Sequence, residues 1–157
     1  MGTTVERIGP PGSFMVFRGT YEYAIDARGR LPLPARFRDS FAEGVVLVHS
    51  PDGCIDVYTP SEYDAWAGFL TQQRANRQRA RRLRRGFFGR SYDVDLDRQG
   101  RILVPPLLRQ YADLSGTVLV VGRGECLEIW NPRRWEAEAA LVDEEQDATL
   151  ESMEARS

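Results

Sequence analysis

The sequence predicts a mainly β, α+β fold built from two tandem copies of one small unit that pair with each other. Three observations carry this expectation. A pentapeptide occurs twice, as Asp26-Ala-Arg-Gly-Arg30 and as Asp97-Arg-Gln-Gly-Arg101. Laid 71 positions apart, Tyr21, Asp26, Gly29, Arg30, Pro34 and Arg38 meet Tyr92, Asp97, Gly100, Arg101, Pro105 and Arg109. After a one-residue gap the match resumes at 72, where Val46-Leu47-Val48 meets Val118-Leu119-Val120, Cys54 meets Cys126 and Pro60 meets Pro132. Such internal similarity marks a supersecondary unit laid down more than once. Units of about 45 residues bury too little of their chain to stand alone, so pairing within the chain or between chains is expected.

The elements follow in order. Residues 1–14, with Gly9-Pro10-Pro11-Gly12, read as a disordered extension, and Met15 offers an alternative start. The first repeat is expected over residues 20–67. Tyr21, Tyr23 and Ile25 alternate with Glu22 and Ala24, the period of a half-buried strand. Asp26 to Gly29 forms a turn: Gly29 suits a positive φ, and the Asp26 side chain can accept from turn amides. Arg30-Leu31-Pro32-Leu33 is a short second strand whose proline points to a sheet edge. Pro34 opens a short helix to Phe41, with proline in its first turn. Val45–Val48 and Cys54–Tyr58, joined through Ser50-Pro51-Asp52-Gly53, read as a hairpin. Thr59-Pro60-Ser61-Glu62 is a helix start, followed by an apolar face at Tyr63, Trp66, Ala67 and Leu70.

Residues 68–90 read as an Arg-rich helical linker, closed by Gly86-Phe87-Phe88-Gly89. The second repeat, over residues 91–134, runs through the same steps. Tyr92–Leu96 is its first strand, Ile102–Val104 its second, and Pro105–Tyr111 its short helix. Thr117–Val121 and Cys126–Trp130 make its hairpin, and Asn131-Pro132 caps a closing helix. Residues 135–157 are read as that helix and an acidic tail, disordered or solvated beyond residue 143.

The net charge of -2 hides a split. Residues 15–135 carry 19 Arg against 14 Asp plus Glu, whereas residues 136–157 carry eight acidic residues against Arg156. The chain has no lysine. Genome composition is one reading of that, but Arg also forks to phosphate and guanine where Lys is a point charge. From Arg74 to Arg90 there are eight Arg in 17 residues. This stretch reads as a solvated face, a non-specific phosphate contact or a partner for acidic tails of neighbouring subunits. The tail is also expected to shield the basic surface. Neither Cys lies in a metal-spaced set, and each reads as a small buried hydrophobe. No apolar run suits a membrane span and no signal core opens the chain, so a cytoplasmic protein is expected.

Chemistry concentrates in the doubled pentapeptide. One reading is two β-turns, each with an internal Asp–Arg ion pair. The other is two rigid posts that present Arg28, Arg30, Arg98 and Arg101 to base edges or phosphates. In that reading Asp26, Asp97, Gly29 and Gly100 orient the motif rather than bind the polyanion. Catalysis is not expected. His49 is a lone histidine beside a turn, and the trio Asp93, Asp95 and Asp97 has Glu22, Ala24 and Asp26 as its counterpart. No metal site and no cofactor are expected.

From about Met15 to Trp135 the chain resembles the MraZ family of the AbrB-like, swapped-hairpin superfamily. The resemblance rests on Phe17-Arg18-Gly19, both Asp-x-x-x-Arg motifs, Gly29-Arg30-Leu31, Pro34-Ala35-Arg36-Phe37-Arg38, Phe87-Phe88-Gly89 and Gly100-Arg101-Ile102-Leu103-Val104-Pro105. It implies two AbrB-like swapped-hairpin repeats forming a pseudo-symmetric barrel. It implies a homo-oligomeric ring of about eight protomers and a nucleoid-associated location. It implies binding to double-stranded DNA at short direct repeats in the promoter upstream of the division and cell-wall gene cluster. By the family pattern Arg30 is the chief contact, with Arg28 beside it, and Arg101, Arg98 and Arg18 follow. The dense Arg stretch exceeds what the resemblance requires. The rival readings are a scaffold or interaction protein and an antitoxin-like AbrB relative.

Overall fold

The computed structural model describes residues 15–72 and 76–156. The expected disordered extension at 1–14 and the side chain of Arg74 lie outside the described residues. The first repeat supplies β1 (Thr20–Ile25), β2 (Arg30–Pro32), a 3-10 helix (Ala35–Phe41), β3 (Val45–His49), β4 (Ile55–Tyr58) and α1 (Pro60–Thr71). After α2 (Arg77–Phe88), the second repeat supplies β5 (Ser91–Val94), β6 (Arg101–Leu103), α3 (Pro106–Ala112), β7 (Gly116–Gly122), β8 (Leu127–Trp130) and α4 (Pro132–Ala155). The caps follow the sequence signals. Thr59 accepts from the Glu62 amide at the start of α1, and Asn131 accepts from the Arg133 and Arg134 amides at the start of α4.

The strands form one antiparallel sheet in the order β1-β7-β8-β4-β3-β5 and a separate ribbon of β2 with β6. Exchanging the repeats, β1 for β5, β3 for β7 and β4 for β8, returns the same order read backwards. The opening strand of each repeat therefore pairs with the hairpin of the other: β1 lies on β7, and β5 lies on β3. Two cross-strand pairs are their own counterparts under the exchange, Leu31 with Ile102 in the ribbon and Asp56 with Glu128 in the sheet. They mark where a local two-fold axis crosses the two layers.

The expected barrel is not closed. β1 and β5 are the two edges of an open sheet. The reason is that β2 and β6 bond to each other, and so do not bridge those edges. The ribbon instead lies across one face of the sheet. Leu31 and Ile102, fully buried, join Leu47, Ile55, Val57, Val118, Val120, Leu127 and Ile129 in the main core. Phe17, Phe37 and Phe41 fill the side of this layer, with Phe17 edge-on to Phe37 at 5.2 Å and stacked on Phe41 at 5.4 Å.

On the opposite face Val46, Val48, Tyr58 and Cys126 pack under Tyr63 and Trp66 of α1. Cys54, Val121 and Trp130 pack under Trp135 of α4. Both thiols are free and buried, as expected. Of the two readings of the acidic tail, disordered or solvated, the second holds: α4 runs unbroken to Ala155 and its outer half is solvated. The residues explain this. Its interior is rich in Ala and Glu and contains no glycine or proline past Pro132, so helix propensity outweighs the lack of burial.

Between the two helices, on the local axis, Asp56 and Glu128 face each other and both are buried. A single arginine serves the pair: Arg123 Nη1 donates to Asp56 Oδ1 at 3.3 Å and to Glu128 Oε2 at 2.9 Å. Its Nη2 reaches the Tyr58 hydroxyl at 3.0 Å and its Nε reaches Glu125 Oε1 at 3.0 Å. One cation cannot fully offset two desolvated carboxylates. Burial, opposed by Arg123 and aided by Glu128, raises the Asp56 carboxyl to about 7.

A raised carboxyl pKa means that the folded state holds a proton that the unfolded chain has already lost. Its stabilising contribution is full below the ordinary Asp range and is lost as pH rises through about 7. The melting temperature of the natural chain should therefore fall relative to that of Asp56→Asn between about pH 4 and pH 8. Paired thermal melts check this, and parallel curves for the two proteins would contradict it.

Candidate nucleic-acid interface

The doubled pentapeptide builds two matching turns, one at each end of the β2/β6 ribbon. In the first turn, Asp26 Oδ1 accepts from the Arg28 amide at 2.9 Å and the Arg30 amide at 2.8 Å. The Gly29 amide donates to Asp26 O at 3.0 Å. In the second turn, Asp97 Oδ1 accepts from the Gln99 and Arg101 amides at 2.8 and 3.0 Å, and the Gly100 amide donates to Asp97 O at 3.0 Å. Each aspartate thus satisfies amides that the turn would otherwise leave open, which is why this position needs a short acceptor. The amides of Arg30 and Arg101 are the main reason that both carboxyls lie below the usual carboxylate range. A lowered pKa keeps the charged, turn-locking form above the ordinary Asp value, and it is lost only as pH falls through the lowered one.

Both turns close with a glycine at positive φ, +90° for Gly29 and +75° for Gly100. Each glycine lies against an arginine of the other repeat. A β-carbon on Gly29 would sit 2.7 Å from Arg109 Nε and 2.9 Å from Val104 O, and one on Gly100 would sit 2.2 Å from Arg38 Nε. These two arginines are structural braces. Arg109 Nε donates to Val104 O at 3.1 Å, and Arg38 Nε donates to Leu33 O at 3.1 Å. The Val104 amide donates to Gly29 O and the Leu33 amide to Gly100 O, so the ribbon ladder extends into both turns. Sequence reading placed Arg38 and Arg109 at matching repeat positions but gave them no role. The signal was there, in two arginines and two glycines held at one spacing.

Leu31 and Ile102 point into the core, so by strand alternation Arg30, Pro32, Arg101 and Leu103 share the outer face of the ribbon. Arg30 lies opposite Leu103, and Arg101 lies opposite Pro32. Strand geometry sets the two arginine Cα atoms about 8 Å apart across that face. Arg28 and Arg98 are exposed in the flanking turns. The structure therefore sets Arg30 and Arg101 on one face of the ribbon, with Arg28 and Arg98 exposed in the turns at its two ends. Arg18 is exposed before the far end of β1 from the Asp26 turn, away from the ribbon.

The two halves are not equivalent. Arg101 Nε is paired with Asp97 Oδ2 at 3.0 Å, and among the described residues the first turn has no matching Arg30–Asp26 ion pair. The Asp–Arg pair considered for both turns thus forms in the second alone. Gln99 stands where the first turn has Arg28, while Arg98 stands where it has Ala27.

No helix of the described residues is long and apolar enough to cross a membrane. A group of Cys54, Asp56 and Glu128 comes close enough to suggest a cation site, but Arg123 already occupies it. His49 is stacked on Tyr111.

Comparison with known proteins points one way. The model of a family described as "MraZ protein, putative antitoxin-like" matches twice, over residues 16–86 and 87–156. A Roseiflexus castenholzii protein named transcriptional regulator MraZ is 38% identical over 82% of this chain and 90% of its own length. Proteins of the same name from Thermomicrobium roseum and Heliobacterium modesticaldum are 40% and 41% identical. They cover 81% and 76% of this chain and 89% and 84% of themselves.

Positive φ and the close arginine make both turn glycines costly to replace. Gly29→Ala should destabilise the fold by roughly 1–3 kcal/mol, since the Val104 carbonyl cannot move aside. Urea unfolding measures this, and a change within about 0.5 kcal/mol would show that the turn is not braced as described.

Proposed function

The chain belongs to the MraZ family, and on that premise we propose that it is a sequence-specific DNA-binding transcriptional regulator whose reading head is the β2/β6 ribbon. The observation that carries this is the shared outer face of Arg30 and Arg101, held over a packed core by turns that the opposite repeat braces. A two-stranded ribbon fits the major groove of B-DNA, and an arginine there can bond the O6 and N7 of guanine as a fork. Arg30, with no carboxylate on its side chain, is the primary base contact. Arg101 must exchange its Asp97 partner for DNA and so contributes less. Arg28 and Arg98, at the two ends of the ribbon, meet phosphates.

The target is a set of short direct repeats in the promoter of the division and cell-wall gene cluster, bound by a ring of about eight protomers. One ribbon offers few contacts and binds weakly by itself. Linking several ribbons to evenly spaced sites raises the effective concentration and adds roughly 10² to 10⁴ in apparent affinity. Each ribbon also releases counterions, so binding falls steeply with salt. The double repeat disfavours the antitoxin-like alternative, which needs one repeat and an unstructured toxin-binding segment. Here each repeat completes the other, and the C-terminal segment is helical.

Arg30→Ala should lower affinity for repeat-bearing DNA by about 10- to 100-fold per site, with the losses compounding across the ring. Its circular dichroism and native mass should not change. Mobility shifts on repeat-bearing and scrambled duplexes check this. A folded variant that still prefers the native repeats would overturn the assignment of Arg30.

A further inference from the structure

Two helices of opposite charge are left without a role by the DNA-binding face. α2 places Arg77, Arg81, Arg84 and Arg85 at i, i+4, i+7 and i+8, a single basic ridge. Beside the ridge runs an apolar stripe of Ala80, Leu83 and Phe87, one turn apart. Phe87 is stacked on Tyr63 of α1 at 5.1 Å, which fixes α2 against its own body, while Leu83 is 42% exposed.

α4 is the counterpart. Its 24 residues span about 36 Å, more than the sheet beneath it needs. Trp135, Val142 and Gln146 border Val121 of β7 and Arg123 just beyond it along a groove. The same stripe then continues past that groove as Leu150 and Met153, 57% and 63% exposed. Along its edge Asp143, Asp147 and Glu151 recur at i, i+4 and i+8, an acidic ridge. By repeat position, Trp135 of α4 corresponds to Tyr63 of α1. Tyr63 is covered by Phe87 of the following helix, whereas Trp135 packs against Trp130 of its own repeat, ring centroids 5.6 Å apart.

We infer that the outer half of α4 docks on α2 of a second copy of this chain, apolar stripe to apolar stripe and acidic ridge to basic ridge. In both helices the charged ridge lies on the same rotational side of the stripe. The two ridges therefore meet when the helices run antiparallel. Because α2 and α4 are different surfaces, the contact is head-to-tail and propagates around a closed assembly. This rests on the ring in the proposed function and supplies its joint. It also explains the uneven charge of the sequence, since each chain carries both halves of one complementary contact.

The test uses the full chain and native mass spectrometry across a salt series. One variant reverses the basic ridge (Arg77→Glu, Arg81→Glu, Arg84→Glu) and another the acidic ridge (Asp143→Arg, Asp147→Arg, Glu151→Arg). The natural chain should assemble, each folded variant should dissociate at least about tenfold more readily, and a chain with both reversals should reassemble. An α2 variant that keeps the natural mass but loses DNA affinity would overturn the docking and mark α2 as a phosphate contact. Failure of the folded double reversal to reassemble would also overturn it. An assembly that survives both single variants unchanged refutes this joint and leaves the ring standing. A monomeric natural chain refutes ring and joint together.

Discussion

Everything in this molecule depends on the reciprocal exchange of opening strands. β1 finds its hydrogen bonds on β7, and β5 finds its own on β3. Neither repeat can complete its sheet from its own residues, so neither buries a core alone. The exchange also sets the ribbon. Once β1 and β5 are committed to opposite hairpins, the segments that follow them arrive antiparallel, side by side, over the shared core. There Leu31 and Ile102 anchor them, and Arg30 and Arg101 are turned outward. The packing of each turn glycine against an arginine of the other repeat is a second consequence of the same exchange. The ribbon is thus rigid because it belongs to both repeats at once. Pre-organised side chains lose less freedom on binding, which favours affinity and register.

Duplication alone would give two equal halves, and the departures from equality are where chemistry is adjusted. Arg123 has Pro51 as its counterpart, so one cation answers two carboxylates on the local axis. An arrangement with no arginine would leave both acids unpaired, and one with two would crowd like charges at the same point. At the interface, Arg101 is held by Asp97 while Arg30 is left available. The two ends of the ribbon are therefore chemically distinct although their backbones match.

Much of this was legible in the sequence because the signals were local. Asp26, Gly29 and Pro34 announce a turn, a positive φ and a helix start by their own chemistry, and repetition at Asp97, Gly100 and Pro105 doubled the evidence. Thr59 and Asn131 capped the helices that their positions suggested. What escaped was relational. Alternation in Tyr21 to Ile25 says that a strand is half buried, not which strand lies beside it. Hence the exchange came only with the family resemblance, and the barrel that it suggested is an open sheet with a ribbon across it. The bracing arginines were visible as a spacing but not as a contact, because Arg38 and Gly100 are far apart in the chain. The tail is solvated, as one of its two readings had it, but its helix escaped for another reason. Acidic composition argues against burial, but helix formation in α4 needs propensity and a good cap more than burial.

The central claim is that the ribbon arginines read guanine edges in the major groove at phased sites. Methylation interference on the promoter duplex tests it most directly, because a methyl at guanine N7 blocks the fork and leaves the phosphates untouched. The account predicts interference at guanines within each direct repeat, recurring with the repeat spacing and absent between repeats. Binding that tolerates N7 methylation throughout, and responds only to blocked phosphates, would contradict it.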